Sequence, residues 1–197
     1  GRRSLATTSA KETPVGVILG TGLSGLAEKM NDPIAVPYAE LAGFPASSVA
    51  SHAGAFVCGR FPARCGEDDG QGRTALIQQG RCHLYEGRNP AEVCMGVRVM
   101  AAMGVRTLIV TNAAGALNPN FDVGSIMCMS DMINHTGATP LAGPNCADWG
   151  PRFPDMSEPF DPDLRALALE TACKMGLRLE RETMSIYTVE NFTSDIT

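Results

Sequence analysis

Apolar runs short enough for single strands alternate along the chain with stretches whose apolar positions recur every three or four residues. That is the pattern of an α/β sheet with crossover helices. Val15 to Leu19 (VGVIL) is predicted as a buried strand, followed by the glycine-rich GTGLSGL and a short helix to about Met30. Ala55 to Gly59 and Thr74 to Gln78 read as two strands around FPARCGEDDGQGR, whose glycines and acids make a solvent loop. Pro90 to Met103 is predicted as a helix, because Val93, Val97, Met100 and Ala101 recur at helical spacing, and Gly104 stops it. Thr107 to Thr111 (TLIVT) is a further buried strand running into NAAGALNP, and Ile126 to Ile133 is an apolar, methionine-rich one. Asn134 to Pro159, rich in Gly, Pro and Asn, is too irregular for regular elements and too long for a plain connection, which is expected of a binding loop. Pro162 to Met175 carries the clearest helix signature: Asp161 as N-cap, Pro162 in the first turn, Leu164, Leu167, Ala168 and Ala172 on one face, and Gly176 closing it. There is no internal repeat. The expected organisation is a flexible arm over residues 1–14 and one domain over 15–197.

Composition narrows the function classes. A chain of 197 residues, 44% hydrophobic and 19% charged, has the size of one ~100–200-residue domain and enough apolar content for a core, which excludes disordered and collagen-like classes. No run reaches the ~18 apolar residues that span a bilayer, so a soluble protein is expected. A net charge of −5 with mixed signs offers no basic stripe to a nucleic acid. Seven cysteines at irregular spacing, without a C-x-x-C pair, read as reduced and mostly buried thiols of a cytoplasmic protein rather than a disulfide or zinc framework. The ten methionines read as core filler. Gly1 in place of methionine is expected of a trimmed, processed or partial chain, and GRRSLATTSAKETP reads as a disordered arm or, second, the stub of a transit peptide.

Four segments could carry chemistry. In VGVILGTGLSGL a strand leads into a glycine-flanked hydroxyl, Thr21, where backbone N–H groups can approach an anion. The segment is compatible with a plain turn, a phosphate site, or a dinucleotide site through Gly20, Gly22 and Gly25, although no acid ~20 residues on completes the last. In QGRCHLYEG, alternation of an extended chain would send Arg81, His83 and Tyr85 to one face and Cys82, Leu84 and Glu86 to the other. A guanidinium, an imidazole and a phenol on one face suit an anion; an exposed polar strand face is the simpler alternative. His52 lies beside Gly54 in a loop before a strand, where a histidine is either structural or functional. Asn112 to Gly115 emerge at the carboxyl end of a strand, where α/β sheets collect ligands and where small residues also make tight turns. The chain has no G-x-S-x-G, no G-x-x-x-x-G-K-[ST] and no H-E-x-x-H, and its carboxylates form no dyad, so serine hydrolases, P-loop enzymes, zincins and glycosidases are not indicated.

Taken in order, VGVILGTGLSGLAE, FPASSVASHAGAFVCG, QGRCHLYEG, VRVMAAMGVRTLIVTNAAGALNP, DMIN and GPRFPDMSEPFDPDL resemble the trimeric class of purine nucleoside phosphorylases, from about Val15 to about Gly176 with an insertion-like loop at 62–73. The resemblance implies a three-layer α/β fold with a central mixed sheet flanked by helices and a nucleoside phosphorylase domain over 15–197 whose C-terminal part is missing. It implies phosphate-dependent cleavage of purine (deoxy)ribonucleosides such as inosine and guanosine, with phosphate as co-substrate, no metal or other cofactor, and a homotrimer. Thr21, His52, Arg81, Cys82, His83 and Ala113 would bind phosphate, with His52, Arg81 and His83 also catalytic. Tyr85 would lie under the ribose, Ala114 and Gly115 beside the base, and Phe153 would be lent to a neighbouring subunit near the 137–150 loop.

After Leu179 the chain departs from the family pattern. Where a Gly-Pro-x-Phe-Glu segment would follow, ETMSIYTVENFTSDIT aligns Phe192 with a base-stacking phenylalanine and Thr193 with the purine-reading glutamate. The implied alternatives are a methylthioadenosine phosphorylase-like enzyme, which GTGL, SEPF and the Phe-Thr-Ser ending resemble, and a shortened, non-catalytic homologue that binds ligand or modulates trimers.

Overall fold

A computed structural model describes residues 13–45, 54–63, 72–182 and 185–187. The chain divides into two compact units between Ala113 and Ala114. The first unit is built on strands β1 (Val15–Leu19), β2 (Asn31–Pro37), β3 (Ala55–Phe61), β4 (Arg73–Gln79) and β5 (Thr107–Val110). They form one sheet in the order β2-β3-β4-β1-β5. It is mixed: β1 runs parallel to β4 and β5, while β2, β3 and β4 pair antiparallel.

Side-chain alternation clothes both faces. Val17, Leu19, Val57, Ala75 and Ile77 pack on one face with Ala27 and Met30 of the turn of 3-10 helix Ser24–Lys29. Ile18, Phe56 and Leu76 pack on the other with Tyr38, Met100 and Val105. Tyr38, Phe44 and Phe56 meet there as a cluster of tilted and edge-to-face rings with centroids 4.5–5.4 Å apart.

Several elements differ from expectation. The segment after Met30 carries Pro33 and Pro37 and gave no strand signal, yet it forms β2. Two features reconcile the prolines with pairing: β2 is an edge strand, and its register shifts between Asn31 and Ile34, around Pro33. The helix expected over 90–103 breaks at Cys94 into α1 (Pro90–Val93) and α2 (Met95–Ala102), with an Asn89/Glu92 capping box and Pro90 at its start. Strand β5, expected to be buried, pairs with β1 alone among the described residues, and Ile109 and Val110 are half exposed.

In the second unit the single strand expected over 126–133 is two, β6 (Ile126–Met129) and β7 (Met132–Asn134). They pair in parallel with β8 (Leu179–Glu182) and β9 (Ser185–Tyr187), respectively. Between them lies α3 (Pro162–Lys174), capped by Asp161, whose Oδ1 accepts the N–H groups of Asp163 and Leu164 at 2.9 Å. The apolar face of α3 is not a core face in this structure: Leu164 and Leu167 are exposed. The methionine expectation holds for Met30 and Met100, which are buried, but Met103, Met156 and Met175 are exposed. Of the six described cysteines, all free, only Cys82 is buried; Cys58 is exposed even on the interior strand β3. No described helix is long and apolar enough to cross a membrane.

Candidate functional site

Strands β4, β1 and β5 are parallel neighbours, so the segments leaving their carboxyl ends come together at one edge of the first unit. After β1 come Gly20, Thr21 and Gly22; after β4, Gly80 to His83; after β5, Thr111 to Ala113. Side chains tie these exits. The Gly20 N–H donates to Thr111 Oγ1 at 2.8 Å, and that hydroxyl donates to the Ile18 carbonyl at 2.9 Å. Arg81 reaches across both exits, its Nη1 donating to Leu19 O at 2.8 Å and to Thr111 O at 3.4 Å. Gly20 must be glycine, since a Cβ there would lie 2.9 Å from Asn112 Cα. Thr21 follows as an exposed residue, between Gly20 and a Gly22 held at φ 83°. Gly25, the third glycine of a dinucleotide-type spacing, approaches no other segment, unlike a glycine that serves close helix packing.

Residues 80–86 do not continue β4 as an extended strand. Gly80 adopts φ 82°, which ends the strand, and Leu84–Glu86 close a turn of 3-10 helix. The Tyr38 hydroxyl donates to the Gly80 carbonyl at 2.6 Å within the core. Glu86, expected on the opposite side from His83, turns back to it: its Oε1 accepts the His83 backbone N–H at 2.7 Å and lies 2.9 Å from Nδ1. One carboxylate oxygen thus touches both the backbone and the ring of His83 and fixes the orientation of the imidazole. The Glu86 side chain is 3% exposed and that of His83 21%, so the pair is shielded from solvent screening.

His83 and Tyr85 stack with centroids 4.7 Å apart and planes at 16°, so the two rings share a side even without strand alternation. Burial pushes the Tyr85 phenol above its ordinary value, Glu86 adds to the rise and Arg81 opposes it. Cys82 points inward, its Sγ donating to the Pro45 carbonyl at 3.6 Å, and burial followed by Glu86 raises its thiol. Only the Cys82 backbone can therefore face an anion at the strand ends. Ala113, two residues past Thr111, is exposed at the end of the first unit.

Thr21, Arg81, His83 and Ala113 are thus all borne by the exits of three adjacent parallel strands. His52, Phe192 and Thr193 lie outside the described residues. Ala114 and Gly115 are exposed residues at the start of the second unit, and Phe153 is 87% exposed on its long irregular segment. Within that segment Arg152 Nη1 donates to the carbonyls of Leu141 and Gly143 at 2.7 and 2.6 Å. Among the described residues no three His, Cys, Asp or Glu side chains are grouped to hold a metal ion.

Three contributors escaped the sequence reading: Thr111, Glu86 and Tyr38. Glu86 stands three residues after His83, the spacing at which a side chain caps a turn. Thr111 and Tyr38 carry no such signal, because their partners are 93 and 42 residues away.

Residues 14–197 match the family model of the phosphorylase superfamily, and the chain belongs to that family. Within it, the chain is 46% identical over 165 residues to purine nucleoside phosphorylase 1 of Geobacillus stearothermophilus, a match covering 84% of this chain and 57% of that protein. The crystal structure of Schistosoma purine nucleoside phosphorylase in complex with hypoxanthine superposes with a TM-score of 0.76 at 33% identity, covering 90% of this chain and 60% of that one. A purine nucleoside phosphorylase in complex with ribose-1-phosphate gives a TM-score of 0.77 at 35% identity, covering 89% and 63%. The chain therefore spans between 57% and 63% of the length of these three proteins.

Proposed function

We propose that the protein is a purine nucleoside phosphorylase, using inorganic phosphate to cleave the N-glycosidic bond of purine ribonucleosides and deoxyribonucleosides. The observation that carries this reading is Arg81 strung across the ends of β1 and β5, with His83, two residues on, held by a buried carboxylate. Relatives with that named activity, one bound to ribose-1-phosphate and one to hypoxanthine, support it.

In this reading the Thr21 hydroxyl, the backbone N–H groups after β1 and β5, Arg81 and His83 bind phosphate, with Ala113 supplying one of the amides. A phosphate oxygen forms a bond to the anomeric carbon as the bond to the base breaks. The base leaves with that electron pair and takes up a proton, giving (deoxy)ribose 1-phosphate and free purine. The sugar passes through an oxocarbenium-like state, which an anion held beside it stabilises. Fixing the two reactants together supplies up to ~7–11 kcal/mol of the barrier. No metal or other cofactor enters this scheme. Tyr85 would flank the ribose; Ala114 and Gly115 the base; Phe153, exposed here, would serve a neighbouring subunit of a homotrimer. A cytoplasmic setting fits the free thiols of the described cysteines.

The test is to incubate the protein with inosine or guanosine and inorganic phosphate. Release of hypoxanthine or guanine with ribose 1-phosphate, abolished in Arg81→Ala and His83→Ala, is the expected result. No release of base, or undiminished turnover in both variants, would sink the reading or its site.

A further inference from the structure

We propose that Thr111 is a positioning residue that holds the Gly20–Thr21 turn and the Arg81 guanidinium in one geometry, so that its hydroxyl sets affinity for phosphate without touching it. The inference rests on the phosphorylase reading above and names a residue which that reading does not use. Backbone pairing between β1 and β5 ends at Ile18 opposite Val110. One step further the Thr111 N–H still reaches the Ile18 carbonyl, at 3.0 Å. The next donor, the buried Gly20 N–H, would need a carbonyl from a continued β5. It takes the Thr111 hydroxyl at 2.8 Å instead, and the same hydroxyl donates to Ile18 O at 2.9 Å.

That substitution of a side chain for a backbone acceptor has two consequences. The chain after β5 can leave the sheet at Asn112 without orphaning a buried N–H at Gly20. The Thr111 carbonyl, not consumed by the ladder, accepts from Arg81 Nη1, which also holds Leu19 O. One residue therefore anchors the phosphate turn through its side chain and the guanidinium through its main chain. The hydroxyl is the only part of Thr111 that the first task requires. Valine keeps its shape and β-branching and lacks both hydrogen bonds, whereas serine keeps both.

The experiment compares the wild-type protein with Thr111→Val and Thr111→Ser in two readouts. One is the hydrogen-exchange rate of the Gly20 amide, followed in labelled protein; the other is titration with inorganic phosphate, with KM for phosphate and for nucleoside read separately where turnover is measured. In Thr111→Val the Gly20 amide is expected to exchange at least tenfold faster and phosphate to bind about tenfold more weakly, with the nucleoside KM little changed. Thr111→Ser is expected to restore both to within about threefold of wild type, as a merely volumetric role would not. Wild-type phosphate affinity in Thr111→Val, or no rescue by serine, would overturn the inference. Should the wild-type protein fail to bind phosphate, the phosphorylase reading falls on that result, and the Gly20 exchange rates alone decide whether Thr111 holds the turn.

Discussion

Glu86 holds His83 twice through one oxygen: Oε1 accepts the His83 backbone N–H at 2.7 Å and lies 2.9 Å from its Nδ1, from a side chain only 3% exposed. The imidazole is therefore oriented by the turn that carries it. Glu86→Gln keeps an oxygen in place and removes the charge, while Glu86→Ala removes both contacts. Because hydrogen bonds to a charged group are worth ~1.5–3 kcal/mol, Glu86→Ala is expected to weaken phosphate binding about tenfold or more, and Glu86→Gln by a few-fold. Calorimetric titration with phosphate checks the order; an alanine variant that binds like wild type would show that His83 needs no such support.

The Tyr38 hydroxyl donates to the Gly80 carbonyl at 2.6 Å, just before Arg81. Tyr38→Phe strands a buried carbonyl and is expected to cost about 1–3 kcal/mol, lowering Tm by several degrees. The phenol also makes stability depend on alkaline pH. Burial raises its pKa above the ordinary 10.0, so the unfolded chain releases this proton at lower pH than the folded one. The stability it lends is complete below about pH 10 and is lost as the pH climbs further. Above about pH 10 the wild type should therefore lose stability faster than Tyr38→Phe in denaturant titrations. Parallel curves would refute the assignment, and because Tyr85 is present in both proteins the difference isolates Tyr38.

Contiguous apolar runs made β1, β3, β4 and β5 legible in the sequence, because both faces of the first sheet are packed over most of its strands. Strand β2 was hidden by Pro33 and Pro37, since no local signal announces an edge position or a register shift. The bearers of the candidate site were legible as types, a hydroxyl among glycines and an arginine near a histidine. Their connections were not. Glu86 faces His83 because residues 84–86 close a 3-10 turn, where alternation in an extended strand would have put them on opposite sides. The Thr111 contact to Ile18 spans 93 residues and exists only because β1 and β5 are neighbours.

Gly96, in α2, packs against the buried carboxamide of Gln78, and a Cβ there would collide with it. Alanine favours a helix over glycine by ~0.8–1.0 kcal/mol, whereas overpacking a core costs ~1–3 kcal/mol. The steric term is expected to win, because the Gln78 carboxamide is enclosed and its Oε1 has no hydrogen-bond partner among the described residues to guide it to a new position. Gly96→Ala should thus destabilise the fold. Adding Gln78→Ala should return part of the loss, seen as a favourable coupling in a double-mutant cycle of denaturant midpoints. Strict additivity would mean that the two residues do not meet.

Gly20 and Gly22 are both glycine for different reasons, and alanine separates them. At Gly22 a Cβ would meet nothing within 4 Å, so Gly22→Ala carries only the strain of φ 83°, roughly 1–2 kcal/mol. At Gly20 a Cβ would lie 2.9 Å from Asn112 Cα and 3.0 Å from Thr111 O, both backbone atoms that no rotamer change can move. Gly20→Ala must therefore push the β1 and β5 exits apart, breaking the Gly20 N–H to Thr111 contact and carrying away the two carbonyls that hold Arg81. It is expected to cost more stability than Gly22→Ala and to weaken phosphate binding by more than tenfold. In Gly22→Ala the phosphate deficit should track the small loss of stability. Measuring Tm and phosphate affinity for both variants decides the point, and a Gly20→Ala protein that binds phosphate as well as Gly22→Ala would mean that the two strand exits need not touch for the anion to be held.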